Sequence, residues 1–209
     1  MSDDSTLLEI GCGDNPFGKL PRLSIGTKIA VDVDAVGLRH LHFRDKSIGT
    51  RLLAADAESM PFRTTTIDGI IAIWVLEHLP NPLHFLDEAR RVLKPKGFIF
   101  LLTPNLANPL CFPLLLLPVP FREMILKRFG GHPDHPYLTF LRANSLNRLT
   151  TLARGSEFDL VRVVFLWEEE YLGRLPGGRF LLRTLAKWSR DTPLESFAGR
   201  LYALLIAKT

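Results

Sequence analysis

Four short groups of residues in this chain have the types and spacing to hold a nucleoside. Gly11-Cys12-Gly13 closes an apolar run, and glycines there let the backbone approach a ligand closely and offer N–H groups. Asp32 follows about 20 residues later, where a carboxylate can accept both hydroxyls of a ribose. Asp56-Ala57, followed by Met60-Pro61-Phe62, sets an acid beside an apolar wall. Such a pair can accept from an exocyclic amine while apolar side chains sandwich a purine. The fourth group, Trp74 to His78, adds an aromatic ring and a histidine. Each alone is a weak signal, because an Asp at a strand end is often only a turn residue or a cap. Four in order are far more specific.

Those groups need elements to carry them. Apolar runs recur at Thr6–Ile10, Lys28–Val33, Arg51–Asp56, Ile67–Leu76 and Gly97–Thr103. Most are continuous rather than alternating, which suits strands covered on both faces, as in a parallel sheet. Between the last two lies NPLHFLDEARRVLKPKG. Asn81 is a good cap and Pro82 a good first residue. Leu83, Leu86, Ala89 or Arg90, and Leu93 follow at helical spacing, Lys94 and Lys96 fall near the C-terminal end, and Gly97 is the stop. Strand, helix, strand in that order predicts a right-handed crossover and an α/β fold. Each of the four groups then falls at the carboxyl end of a strand, where open α/β sheets bind ligands. A helix is expected from near Asn144, a strand over Asp159–Trp167, and a last apolar run over Arg200–Lys208.

Composition sets bounds. With 209 residues, 46% of them hydrophobic, the chain suits one domain with a sizeable core. Cys12 and Cys111 are its two cysteines and give neither a metal spacing nor a disulfide framework, so a reducing compartment is expected. The start, MSDDSTLLEI, lacks the basic and apolar regions of a secretory signal, which points to a cytoplasmic protein. Charge is uneven: residues 1–100 carry 12 Lys and Arg against 13 Asp and Glu, and residues 101–209 carry 14 against 9. A basic second half can face an anionic membrane surface or an acidic substrate. Nucleic acid is not expected, because no basic stripe is interleaved with exposed aromatics.

The strings LLEIGCG, VDVD, ADAESMPF and WVLEHLPNPLHFLDEARRVLKPKGFIFLLTPN together resemble the class I S-adenosylmethionine-dependent methyltransferases. The resemblance is to their small, ubiquinone/menaquinone-methyltransferase-like (type 11) branch, and it covers roughly residues 6–105. It implies a Rossmann-like, doubly wound, seven-stranded sheet, mostly parallel with an antiparallel last strand. It implies one domain over residues 1–209, with a variable substrate-covering insertion at 104–142. S-adenosylmethionine is the implied cofactor. By position, Glu9 matches the acid of the first motif, and Gly11, Cys12 and Gly13 its glycine loop. Asp32 matches the ribose acid with Val33 beside the adenine, Asp56 and Ala57 the adenine-reading pair, and Trp74 the methionine end. Asp68 corresponds to a position that is usually structural.

Two departures matter. The family loop usually reads GxGxG, but here Asp14-Asn15-Pro16 intervene before Gly18. Proline shortens or delays the helix that would follow. A nicotinamide-dependent oxidoreductase would want G-x-G-x-x-G leading straight into a helix with free N–H groups for a pyrophosphate. This loop lacks both. A sulfonium nucleoside carries no phosphate, so close approach at Gly11 and Gly13 suffices, with Asn15 a donor to the methionine carboxylate. The second departure is Trp74, where some quinone O-methyltransferases carry a further acid ahead of their Glu-His pair. Glu77 and His78 alone are a poor ligand set, and no metal is expected. A non-catalytic methyltransferase-like binding protein would show a damaged cofactor site, and here the four groups are intact.

For an oxygen nucleophile the candidate general bases are His78 and, in GGHPDHPY, His132 and His135. The apolar stretch Leu110–Phe121 is too short and proline-rich to span a membrane. It reads as a lid or pocket wall, and it could cover a cofactor that the short segment before Thr6 leaves open. With the basic, apolar stretch Leu172–Arg190 it suggests a small hydrophobic acceptor, or one carried on a lipid or glycan, with peripheral contact at the inner face of a membrane.

Overall fold

The computed structural model describes residues 4–17, 26–44, 50–108, positions 117, 118, 120, 121 and 124, and residues 138–167, 177–190 and 192–209. Its strands are β1 (Thr6–Ile10), β2 (Thr27–Asp32), β3 (Arg51–Ala54), β4 (Ile67–Ile73), β5 (Leu93–Pro104), β6 (Phe158–Leu166) and β7 (Arg200–Ala207). Its α-helices are α1 (Ala35–Arg44), α2 (Pro82–Val92), α3 (Leu146–Gly155) and α4 (Gly178–Ser189). The seven strands form one sheet in the order β3-β2-β1-β4-β5-β7-β6. Pairings from β3 through β5 are parallel, and β7 runs antiparallel to both β5 and β6. This is the expected Rossmann-like sheet. Strand order reverses between β1 and β4, so the crevice for a ligand opens at their carboxyl ends.

Strand alternation sorts β1 onto two faces. Leu8 and Ile10 join the large cluster that contains Phe85, Leu86, Ala89 and Val92 of α2 and Leu149 and Ala153 of α3. Leu7 joins Ile71, Ile73 and Leu102 on the opposite face. An isolated helix of 11 residues is marginal in water. What holds α2 is burial of its apolar side chains, about 1.5–3 kcal/mol for each large one. The buried stripe is Phe85, Leu86, Ala89 and Val92, whereas Leu83, which the spacing would place on it, is 38% exposed.

The end of α2 corrects the sequence reading. The helix stops at Val92, and Lys94 and Lys96 lie in β5, not in a last helical turn. Leu93 turns extended (φ −71°, ψ 139°), is fully buried, and pairs with Ile67. Burial at the sheet outweighs the local helical pattern. Lys96, not Gly97, takes the left-handed conformation (φ 63°). Gly97 is needed for space: a Cβ there would lie 2.9 Å from the Lys94 carbonyl oxygen and 3.2 Å from that of Asp68.

Asp68 is held from two sides. Its carboxylate accepts from Lys94 Nζ through both oxygens at 2.8 Å and from the Thr6 N–H at 2.8 Å. Burial by itself raises its pKa, but the hydrogen bond from Lys94, that from Thr6 and the Lys94 charge together outweigh it, and the pKa lies below the usual value. A depressed carboxylate contributes stability above its unfolded pKa and loses it as pH falls through the folded one. Asp68→Asn is therefore expected to destabilise at pH 7 by about 1 kcal/mol, modest because Lys94 is partly exposed. The gap to the parent should close below about pH 4 in denaturant titrations at stepped pH. A gap that stays constant down to pH 3 would remove the ion pair as its cause.

The other predicted elements fall near their expected places: β1 has the predicted bounds, and β2 and β6 are shifted by one residue. β3 ends at Ala54 rather than Asp56, and β4 at Ile73 rather than Leu76, where Trp74 takes a left-handed φ of 60°. α3 starts at Leu146 with Ser145 as its cap, the Oγ accepting from the Arg148 N–H. Most of the predicted 104–142 insertion, including Cys111 and the greater part of Leu110–Phe121, lies outside the described residues.

Candidate cofactor and active site

The loop after β1 is shaped by its own hydrogen bonds. Residues 11–17 form successive turns, with Gly11 (φ 68°), Gly13 (φ 58°) and Phe17 (φ 55°) left-handed. For Gly11 that conformation and the lack of a Cβ are both required, since a Cβ would collide with Cγ2 of Val75. At Gly13 the space above the backbone is open, with nothing within 4 Å of where a Cβ would sit. Glu9, buried on β1, accepts from the Phe17 N–H and fastens the far end of the loop.

The first three N–H groups of the loop are committed inward. Gly11 N and Cys12 N both donate to the Val31 carbonyl of β2, at 2.8 and 3.3 Å, and Gly13 N donates to Asp32 Oδ2 at 2.9 Å. The sequence reading had these glycines offering N–H groups to a ligand, and the structure corrects it. With β2 alongside, the three donors are used within the sheet edge, and the loop offers close approach instead. A pyrophosphate needs the opposite arrangement.

The rest of the crevice follows in strand order. Asp32, buried at the end of β2, accepts from Gly13 N and, through Oδ1, from Asp34 N at 3.0 Å. A carboxylate has about four acceptor sites, so capacity for ribose hydroxyls remains. Val33 beside it is 63% exposed. The Ala55 N–H donates to the Asp32 carbonyl at 3.0 Å, which sets Asp56 next in line. Asp56 is exposed, with Oδ1 accepting from Glu58 N at 2.8 Å, while Ala57 and Met60 are buried behind it. Cys12 turns its side chain into a cluster with Ala30 and Leu38. Asn15 is exposed in the loop.

Sequence reasoning missed the groups that hold this wall. Arg91 of α2 donates to the carbonyls of Met60 (2.8 Å) and Phe62 (2.7 Å) and pairs with both oxygens of Glu88. Glu88 in turn accepts from Met60 N. The Arg91 hydrogen bond, against the opposing effect of burial, lowers the Glu88 pKa, and the same pair raises that of Arg91. It also missed Arg200, whose guanidinium carbon lies 4.8 Å from the centroid of the Trp74 ring. Neither was legible: Arg91 and Arg200 read locally as a helix surface residue and a strand start.

Beyond Trp74 the chain makes one 3₁₀ turn, Leu76–His78. Glu77 is buried, and its Oε2 accepts from Thr103 Oγ1 at 3.0 Å, which in turn accepts from the Asn144 side-chain amide. Its carbonyl accepts from Phe140 N (2.7 Å) and Leu141 N (3.1 Å). His78 Nδ1 lies 3.0 Å from the Leu138 carbonyl oxygen. Glu77 and His78 thus point into different networks. Among the described residues no group of three or more His, Cys, Asp or Glu is placed to hold a metal ion. His132 and His135 lie outside the described residues.

A site with open space at Gly13, loop N–H groups of Gly11, Cys12 and Gly13 already taken, a buried acid at Asp32, and Ala57 and Met60 buried beside Asp56 fits a sulfonium nucleoside. Residues 8–101 match the family model described as a methyltransferase domain. This chain is a class I S-adenosylmethionine-dependent methyltransferase. S-adenosylmethionine is its cofactor. The methyltransferase is 27% identical over 187 residues to a "Ubiquinone biosynthesis O-methyltransferase" of Dechloromonas aromatica, covering 86% of this chain and 77% of that one. It is 29% identical over 99 residues to a "Probable S-adenosylmethionine-dependent methyltransferase" of Mycobacterium tuberculosis, covering 47% of this chain and 35% of that one. The fold matches a geranyl diphosphate C-methyltransferase from Streptomyces coelicolor, with TM-score 0.62 and 17% identity over all of this chain and 73% of the other.

Proposed function

We propose that the enzyme methylates a hydroxyl oxygen of a small hydrophobic acceptor, or of one carried on a lipid or glycan, with His78 as general base. The observation that carries this reading is the hydrogen bond at His78 Nδ1. A carbonyl oxygen only accepts, so Nδ1 carries the proton and Nε2 of the neutral ring carries the lone pair. That is the tautomer a base requires. The segment that fixes it, residues 138–141, is itself tied to the Glu77 carbonyl. The relative named "Ubiquinone biosynthesis O-methyltransferase" supports oxygen as the nucleophile.

S-adenosylmethionine, when bound, supplies a methyl group already activated by its positive sulfur. The chain's task is alignment, exclusion of water and removal of one proton. In this reading Asp32 accepts from the ribose, Val33 lies along the purine, and Asp56 accepts from the exocyclic amine before Ala57, Met60 and Phe62. Gly11, Cys12 and Gly13 pass the ligand by main chain, while Asn15 and Trp74 face its amino-acid end. Glu9 keeps the loop in shape. His78 takes the acceptor's hydroxyl proton at Nε2.

A screen with methyl-labelled cofactor across phenols, quinone precursors, glycans and lipid extracts tests the acceptor. Label is expected on an oxygen of a hydrophobic acceptor, and label on nitrogen or carbon overturns that part. His78→Gln is expected to lower kcat about hundredfold while cofactor affinity stays within about threefold. Normal turnover of that variant would remove His78 as the base and leave His132 and His135 to be tested the same way.

A further inference from the structure

Helix α4 lies on the same edge of the sheet as the cofactor crevice. β6 is parallel to β5, since both are antiparallel to β7, and Leu166 and Pro104 pair with the same residue, Arg200. The chain therefore leaves β6 at the carboxyl edge, passes through α4 and the 3₁₀ turn Pro193–Phe197, and re-enters the sheet at Arg200. A hydrogen bond from Trp167 Nε1 to Ser189 Oγ (2.8 Å) ties the end of α4 to the end of β6. Gly178, Leu182 and Ser189 form its buried face.

The outward half of α4 is divided lengthwise. At i, i+4 spacing Arg179, Arg183 and Lys187 make one line, continued by Arg190, and all four are exposed. One residue on, Phe180, Thr184 and Trp188 make a second line, with Leu181 on the same side as Trp188, two turns before it. Phe180 is 78% exposed, Trp188 68% and Leu181 50%. The neighbouring 3₁₀ turn adds Leu194 and Phe197, both exposed. Large apolar side chains left in water at this density need an occupant. Between Gly177 and Arg190 the sequence has four cations and no acid. A second copy of the same face would bring like charges together across a two-fold axis. An anionic surface with an apolar interior matches both lines at once: Phe180, Leu181 and Trp188 enter the acyl boundary while Arg and Lys reach the headgroups.

We propose that α4 docks the enzyme on an anionic phospholipid bilayer, with the open edge of the sheet turned toward the membrane. Among the described residues no helix is long and apolar enough to cross a membrane, so the contact is peripheral. The proposal is independent of which atom is methylated, and vesicle binding is read without cofactor or acceptor, so it can fail while the methyl-transfer reading stands.

Co-sedimentation with vesicles of 30% phosphatidylglycerol in phosphatidylcholine is compared with pure phosphatidylcholine, alongside tryptophan emission. The parent is expected to bind the anionic vesicles at least about tenfold better, with a blue shift from Trp188. Lys187→Gln/Arg190→Gln should lose at least about tenfold in partitioning, and Phe180→Ser/Trp188→Ser a similar amount. Circular dichroism and cofactor titration should match the parent for both, since all four side chains are exposed. Absence of parent binding to anionic vesicles, or variants that bind as well as the parent, would overturn the proposal. So would a parent dimer that Phe180→Ser/Trp188→Ser converts to monomer, which would make the face a subunit contact.

Discussion

Asp32→Ala is expected to weaken S-adenosylmethionine binding at least about hundredfold in calorimetric titration. The carboxylate has two duties. It holds the loop through Gly13 N and the start of α1 through Asp34 N, and in the proposed site it accepts from the ribose. A hydrogen bond to a charged group contributes about 1.5–3 kcal/mol, and a donor left buried and unmatched costs a comparable amount. Losing the ribose contacts and loosening the loop together exceed the roughly 2.7 kcal/mol that a hundredfold change represents. Asp32→Asn separates the duties. It keeps the volume and one acceptor oxygen but turns an amide N–H₂ toward a backbone donor, so an intermediate loss is expected. Affinity within about threefold of the parent for Asp32→Ala would show that this acid does not touch the cofactor. Thermal melts run beside the titrations keep a folding defect from passing as a binding one.

The second large effect is structural. Asn105→Ala is expected to cost about 2–4 kcal/mol of stability, read as a melting temperature lower by about 5–12 °C. Asn105 is fully buried where β5 leaves the sheet. Its Nδ2 donates to the carbonyls of Ser196 and Ala198, each at 2.8 Å, and its Oδ1 accepts from Ala107 N at 3.1 Å. Truncation leaves two carbonyls and one N–H without that partner. Asn105→Asp should be worse than alanine at neutral pH, because a carboxylate would face two carbonyl oxygens. Part of that excess should return in acid as the carboxyl protonates and becomes a donor. A melting point unchanged in both variants would mean that water replaces the amide without loss.

The two variants bracket what local sequence could tell. Asp32 was legible because its meaning depends on one strand: an acid at the end of a β-branched run, some 20 residues after a glycine loop. The same holds for the α/β class, which follows from where the apolar runs and the one well-signalled helix fall. Asn105 was legible only as part of the TPN string. The two carbonyls it donates to are more than 90 residues away, and nothing in the local pattern points to them. Leu83 and Gly97 were misread for a related reason. Helical spacing admits more than one face, and a glycine after a helix can mark either a left-handed turn or a lack of room. Contact with another element decides between them.

By itself, the sequence determined the α/β class and the placing of four groups of residues near strand ends, since these rest on residue type and on spacing within and between neighbouring elements. Only the tertiary structure decided how the glycine loop works. The N–H groups of Gly11, Cys12 and Gly13 could have faced a ligand, but β2 packs beside them and Val31 and Asp32 accept from them. Tertiary structure also placed Arg91 behind the purine wall, Arg200 over Trp74, Leu138 against His78, and the basic and aromatic lines of α4 at the open edge of the sheet. These depend on elements far apart in the chain meeting at one rim. No window of sequence carries that information, because burial and hydrogen bonding between distant segments, not local propensity, set where they meet.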